Sequence, residues 1–349
     1  MERKDAMEKG NFDYRRNSFD IIRYFAAFSV MFLHYTYYAI TISGRQTPLL
    51  QGMRRFTEFF PGVIILFSLS GFLISASFER CITKKEFFIK RIFRLYPELW
   101  LCTLVNLILL FLLVRESLDG SLWLWVLTQI VGIANTPSCL SEFATGSVNG
   151  ALWTIFTEIQ LYLVLGIFYP MLKKLKNNSW WILLGGCLFL NLGCRYVTDN
   201  FSGIMGKLVE RTVFPYLAWF LIGVYCYQRK RELIPVLKKY FWLLFGIFAF
   251  NQYFNLCEAG YYEDIITSCF LPFVTIGAAY LLPVKRISCD LSYGIFLYHW
   301  IVINVMVYLN IFILWPWYWC MLLFIFLTLG MALVSQVFGK NIKTGKRIR

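Results

Sequence analysis

Apolar runs of roughly 20 residues recur from residue 19 to residue 338, separated by short polar links. Eleven can be drawn, at 19–42, 59–79, 96–114, 121–136, 150–172, 180–197, 208–228, 240–256, 264–283, 288–314 and 317–338. The fourth, SLWLWVLTQIVGIANT, has 16 residues and falls short of a comfortable crossing of a hydrocarbon core about 30 Å thick. The pattern predicts an all-α polytopic membrane helix bundle. Composition agrees: 58% of the residues are hydrophobic and 15% charged, against about 25% charged in a soluble domain. So much apolar surface cannot be buried in a water-soluble core of this size. A soluble enzyme, a single-anchor protein and a disordered chain are excluded.

Charge decides whether the fourth run crosses. The formal net charge is +14, and Lys and Arg gather in the links. If the run does not cross, 26 Lys and Arg lie inside and 7 outside; if it does, the split is 14 against 19. The positive-inside rule selects the first arrangement. The expectation is about ten transmembrane helices in the plasma (inner) membrane, both termini cytoplasmic. Residues 121–149 then form an outer or re-entrant element, which membrane depth tolerates only when packed on protein or lining a cavity. Residues 1–18 form a cytoplasmic tail, 19–338 the membrane domain and 339–349 a basic cytoplasmic tail. The basic N-terminus precedes a run long enough to span, which reads as a retained first helix and not a cleaved signal. No basic stripe interleaves with stacking aromatics, so nucleic acid is no partner. The ten cysteines are scattered without a C-x-x-C pair, so no metal or redox site is expected. Cys139 and Cys257 alone fall in outer links, and no bridge is expected between them.

Ionisable residues inside spans are costly and therefore candidates for function. The chain has two histidines, His34 and His299, both in predicted spans. Arg23 and His34 share the first run, eleven residues apart. On a helix this puts them within about 20° of one face and roughly 16.5 Å apart. The plain alternative for Arg23 is an interfacial arginine paired with Asp20, and for His34 an interhelical hydrogen bond. Glu158 sits about eight residues below the outer end of its run, as His34 does in its own, a depth of roughly 12 Å for both. Two titratable groups at one depth can meet and tune each other. Tyr162, one turn below Glu158, faces the same way. Arg91 and Arg94, three apart on an expected interfacial helix, suit a multiply charged phosphate, although an ordinary positive loop would look the same. His299 lies in the inner half of its run with its role open. Ser70 reads as a small helix-packing residue.

Five phrases carry a resemblance. FDIIRYFAAFSVMFLHY resembles the first-helix signature of the acyltransferase-3 family of multi-span membrane acyltransferases, including the Arg–ten residues–His spacing. LFSLSGFLI, KRIFRLYP, NGALWTIFTEIQLYL and SYGIFLYHW resemble that family's later signatures, in the family's order. There are departures. Ile64 and Ile65 follow Gly62-Val63 where many members carry an acidic residue, and Ile159 follows Glu158 where a second acidic residue is common. Some members also carry a C-terminal hydrolase-like domain, which is not expected here.

The resemblance implies O-acetylation: transfer of an acyl group, usually acetyl from acetyl-CoA, to a hydroxyl of a glycan or lipid-linked sugar, as in polysaccharide biosynthesis. On that reading Arg23, Arg91 and Arg94 receive the acyl-CoA phosphates at the cytoplasmic mouth, without a metal. His34 is the general base, Glu158 its partner, and Tyr162 and His299 contact substrate. Membrane lipid surrounds the whole. The competing class is a multi-span transporter using Arg23, His34 and Glu158 as a proton or anion relay.

Overall fold

The computed structural model describes residues 16–201, 203–284 and 287–345. Most of the tail expected at 1–18 lies outside the described residues, whereas residues 339–345 of the expected C-terminal tail continue the last helix and only 346–349 lie outside. Fifteen α-helices and no strand occur among the described residues. They are α1 (Phe19–Ser43), α2 (Pro48–Phe59), α3 (Gly62–Glu79), α4 (Lys84–Leu113), α5 (Ser121–Val131), α6 (Leu152–Leu172), α7 (Asn177–Asn200) and α8 (Ile204–Glu210). Then follow α9 (Leu217–Gln228), α10 (Lys230–Lys239), α11 (Phe241–Phe254), α12 (Ile265–Leu281), α13 (Ser292–Tyr308), α14 (Ile311–Leu314) and α15 (Trp317–Gly345). Among the described residues, six helices are long and apolar enough to cross a membrane. The bent pair α10–α11, which turns by 68°, makes up to seven. Helices α12 and α13, at 17 residues each, fall just short of that length.

Contacts sort the connections to two ends of the bundle. At one end Lys173 pairs with Glu79 at 3.0 Å, Arg229 donates to the Leu175 carbonyl at 3.2 Å, and Arg23 meets Asp290 at 2.6 Å. At the other, Arg45 donates to the Trp315 carbonyl at 3.1 Å and Tyr308 to the Leu113 carbonyl at 2.7 Å. This is the alternation that helices threading back and forth require. The core seam is the crossing of α3 and α9. A Cβ on Gly71 would overlap the Phe220 carbonyl oxygen, and one on Gly223 the Ser68 carbonyl oxygen. Two backbones in that proximity admit glycine alone, the close approach by which membrane helices associate without a hydrophobic drive.

Two polar links are helical. The basic link before the third span is not a separate interfacial helix, because α4 runs unbroken from Lys84 through Pro97 to Leu113. Its start is fixed by Thr83, whose hydroxyl accepts from Glu86 N–H at 3.1 Å, while the Glu86 carboxylate accepts from Ile82 N–H at 2.8 Å. The link at 43–58, read from the sequence only for its charge, carries the amphipathic helix α2, started by Pro48 behind the Thr47 cap.

The segment after α4 is a short helix followed by irregular chain. Helix α5 runs back along α4, so that Tyr96 and Trp100 donate to the Val131 and Ile130 carbonyls at 3.1 and 3.0 Å. The chain then returns without regular structure, and side chains satisfy its backbone. Trp125 donates to the Asn135 carbonyl at 3.1 Å, Gln129 to Ile133 at 2.8 Å, and Asn304 to both Ser147 and Val148 at 2.9 Å. Irregular backbone is stable there because protein, not lipid, covers it.

Candidate active site

Helix α1 carries two of the sequence candidates, and each meets α13 or the loop before it. At the near end Asp290 stands just before α13, accepting from the Ser292 N–H at 3.2 Å and its hydroxyl at 2.5 Å. The same carboxylate accepts from Arg23 at 2.6 Å, while Asp20 stands 3.5 Å from the guanidinium. Burial alone would raise the Asp290 carboxyl, but Arg23 and the Ser292 hydrogen bonds hold it below the ordinary carboxylate range. Tyr24 completes the clamp, donating to the Cys289 carbonyl at 2.5 Å and accepting from Leu291 N–H at 2.7 Å.

The clamp sets the register of the two helices, and that register brings His34 to His299. His34 Nδ1 and His299 Nε2 are 2.9 Å apart, with the rings parallel to within 3°. His299 is fully buried, and its Nδ1 lies 3.1 Å from the Ile295 carbonyl. A carbonyl only accepts, so His299 carries its proton on Nδ1. Its Nε2 lone pair then accepts from His34 Nδ1–H, which leaves the basic lone pair of His34 on Nε2. Trp300 packs edge-on to His34 at 4.8 Å. Trp300 in turn donates to the Thr145 hydroxyl of the irregular return at 3.1 Å. Any side chain at Gly150 would collide with the Trp300 ring, which is why that return ends in Asn149-Gly150. Asn149 donates to the Leu297 carbonyl at 2.9 Å, locking the return to α13 beside the histidines.

Glu158 belongs to a second group. It accepts a short hydrogen bond from Tyr162 and one from Ser70 at 3.3 Å. Ser70 is thus a polar partner of Glu158, and its neighbour Gly71 does the packing. A narrow cavity of about 90 Å³ opens here, lined by Arg23, Ser70, Arg94, Glu158, Tyr162 and Tyr293 among others. That volume holds several waters or an acyl group but not a nucleotide. On α3 the lining runs from Val63 to Ile74, about 16 Å of helix. Phe296, at the cavity wall, packs edge-on against His299 with ring centres 5.9 Å apart. Arg91 stands beside the cavity, donating to Ser77 at 3.0 Å and lying 5.9 Å over the Tyr162 ring.

Arg23, Arg94, Glu158 and Tyr162 therefore converge on one cavity, and His34 and His299 form a pair behind its wall. The expected hydrogen-bonded meeting of His34 with Glu158 is not made. Matched depth in two helices does not fix which faces oppose, and α13 lies against α1 where α6 was expected. His299, whose role the sequence leaves open, is the residue that faces His34. The relay of the transporter alternative is not formed either, since Arg23, His34 and Glu158 each bond a different partner. Asp290, Trp300, Asn149 and Asn304 were missed. Only Asp290 had a readable signal, the Asp-x-Ser start of a helix. All ten cysteines are free thiols, Cys139 and Cys257 included. No group of metal-ligating side chains occurs among the described residues.

Known proteins resemble the chain along most of its length. Residues 16–335 match the model of a family described as an acyltransferase domain. Nodulation protein 10 of Rhizobium leguminosarum bv. viciae is 26% identical over 328 residues, covering 87% of this chain and 86% of that protein. An O-acetyl transferase of Shigella phage Sf6 is 25% identical over 296 residues, covering 82% and 84%. No solved structure matches the chain. With the family model spanning nearly the whole bundle and both groups of polar residues inside it, the chain belongs to the acyltransferase-3 family of membrane O-acyltransferases.

Proposed function

We propose that this enzyme moves an acyl group, in the simplest case acetyl, from cytoplasmic acyl-CoA to a hydroxyl of a cell-surface polysaccharide or lipid-linked sugar. The observation that carries this is the fixed tautomer of His34, set by His299 and the Ile295 carbonyl, next to a cavity with Arg23 and Arg94 in its wall. A base whose protonated nitrogen is already committed presents its lone pair at no orientational cost. The acceptor hydroxyl gives its proton to His34 Nε2 as its oxygen attacks the thioester carbonyl. The C–S bond then breaks, and the departing CoA thiolate takes the proton back. His299 holds the imidazole through this cycle as a positioning residue. Arg91 beside the cavity and Arg94 in its wall receive the donor's phosphates, and the acyl end reaches His34 past Phe296, which belongs to the cavity wall and packs on His299. Purified protein should release CoA thiol from acetyl-CoA in an acceptor-dependent manner. A folded preparation that releases none with any hydroxyl acceptor would overturn the assignment.

The donor site makes its own prediction. A charge-assisted hydrogen bond contributes about 1.5–3 kcal/mol, so Arg91→Gln and Arg94→Gln should each weaken CoA binding by roughly tenfold or more. Calorimetric titration of CoA measures this directly, and unchanged affinity in a folded double variant would reduce both arginines to topology signals.

Ten crossings with both termini in the cytoplasm follow from the charge split and fit the two-ended sorting of contacts. Reporters fused after Lys176 and after Arg349 should both read cytoplasmic. An external signal at either position would invert the donor and acceptor sides.

A further inference from the structure

The cavity has a direction along the bundle. Gly62, at the start of α3, has no room for a Cβ beside the Ala26 carbonyl and the Val30 side chain, whereas Phe72 packs on Phe19 at 4.9 Å. The lining from Ile74 to Val63 therefore advances from the start of α1 towards His34. His34 itself is not in that lining. Between the two stands Phe296, which belongs to the wall and meets His299 edge-on with ring centres 5.9 Å apart.

Phe296 has nowhere to retreat. It is 5% exposed, and the rings behind it form a fixed series. His299 is fully buried and held at the Ile295 carbonyl, its ring centre lies 5.1 Å from that of His34, and His34 lies 4.8 Å from Trp300. Trp300 is tied to the Thr145 hydroxyl and the Ser147 carbonyl at 3.1 and 3.3 Å, with Gly150 closing on its ring. The polar part of the lining is equally committed, because Ser70 and Tyr162 both donate to Glu158. An apolar tail pushed onto that carboxylate would strip it of solvent without offering a hydrogen bond, which is costly. Close-packed side chains do not take up even one extra methylene without strain.

We propose that Phe296 decides which acyl groups the enzyme transfers, ending the channel so that an acetyl-sized group reaches His34 and a longer chain does not. This rests on the acyl-transfer reading above and adds the residue that sets its selectivity. With the donor's phosphates on Arg91 and Arg94, the pantetheine arm occupies the channel, and the acyl tail is what meets the Phe296 ring. Each further methylene has to displace a side chain that its neighbours hold in place. In a hydrophobic pocket one methylene separates substrates by roughly 10–200-fold. Phe296 touches the acyl group and sorts it, and takes no part in the bond changes.

The test uses the full chain in detergent and ketone analogues of acetyl-, butyryl- and hexanoyl-CoA, in which a methylene replaces the thioester sulfur, titrated calorimetrically. Wild type should bind the acetyl analogue about tenfold or more tightly than the butyryl and hexanoyl analogues. Phe296→Leu, which shortens the wall and keeps an apolar side chain in it, should narrow the acetyl-to-butyryl ratio to about threefold or less. Phe296→Ala should admit the hexanoyl analogue as well. Free CoA, which has no acyl group, should bind wild type and Phe296→Leu alike. Ile74→Ala widens the lining at the end away from His34 and should leave the ratio where it was. Equal affinities in wild type, an unaltered ratio in folded Phe296→Leu, or the same shift from Ile74→Ala would overturn the proposal. Failure of the acyl-transfer reading shows separately, as a wild-type protein that ranks the analogues as expected yet releases no thiol from acetyl-CoA with any hydroxyl acceptor.

Discussion

Replacing His34 by Gln should lower turnover by at least two orders of magnitude while leaving CoA affinity intact. A positioned general base contributes ~10²–10⁴-fold. Gln preserves a donor toward His299 Nε2, and hence the interhelical hydrogen bond, but supplies no basic lone pair. The variant therefore separates basicity from packing. His34→Ala also empties the space beside Trp300 and His299, so it should lose activity and thermal stability together. His299→Phe is the complementary probe: it keeps a ring against Phe296 but removes the acceptor that fixes the His34 tautomer. Turnover should fall by tenfold or more with CoA affinity unchanged. Initial rates of thiol release and CoA titrations on the three variants decide the matter. Full activity of a folded His34→Gln protein would end the mechanism and leave the histidine pair as a structural bond between α1 and α13.

Much of this was legible before any coordinates. Most apolar runs fall on helices, although 208–228 is one helix only from Leu217 and 288–314 only from Ser292 to Tyr308. The cause is that an unpaired backbone amide is intolerable in lipid, and a long apolar run has few alternatives to a helix. The 16-residue run at 121–136 reads as short, and the helix there, α5, has eleven residues and packs antiparallel on α4. Arg23 and His34 fall on one face because helix periodicity leaves no freedom. What periodicity does not contain is which helix stands opposite. Glu158 and His34 share a depth, yet the partner of His34 is set by the Asp290 ion pair and the Tyr24 clamp, which fix where α13 begins against α1. That information lies in a short polar link, DLS, whose geometry depends on a guanidinium more than 260 positions away. Helix α2 was missed for a different reason. Its apolar positions are only one side of twelve residues, PLLQGMRRFTEF, and its two arginines read as loop charge. The glycines of the α3–α9 crossing were visible, but a neighbouring serine took the packing role because sequence alone cannot rotate a helix.

The separation of the two groups has a measurable consequence at Glu158. If Glu158 oriented the His34 imidazole, removing its charge would matter only while the histidine pair is intact. In the structure its hydrogen bonds run to Tyr162 and Ser70, and the nearby cations are Arg91 and Arg94. Glu158→Leu strips the buried Tyr162 hydroxyl of its acceptor and the arginines of their counter-charge. It should lower stability by about 2 kcal/mol or more, read as a drop in the thermal midpoint of the detergent-solubilised protein. Glu158→Gln keeps an oxygen for both hydroxyls and should fold normally. Combined with His299→Phe, it tests the wiring. Groups in separate networks combine their free energies to within about 0.5 kcal/mol, whereas members of one network do not. The logarithms of the kcat/KM losses of Glu158→Gln and His299→Phe should therefore add in the double variant. A double variant no worse than the more damaging single change would show that Glu158 acts through the histidines after all, with Phe296, which lines the cavity and packs on His299, between them.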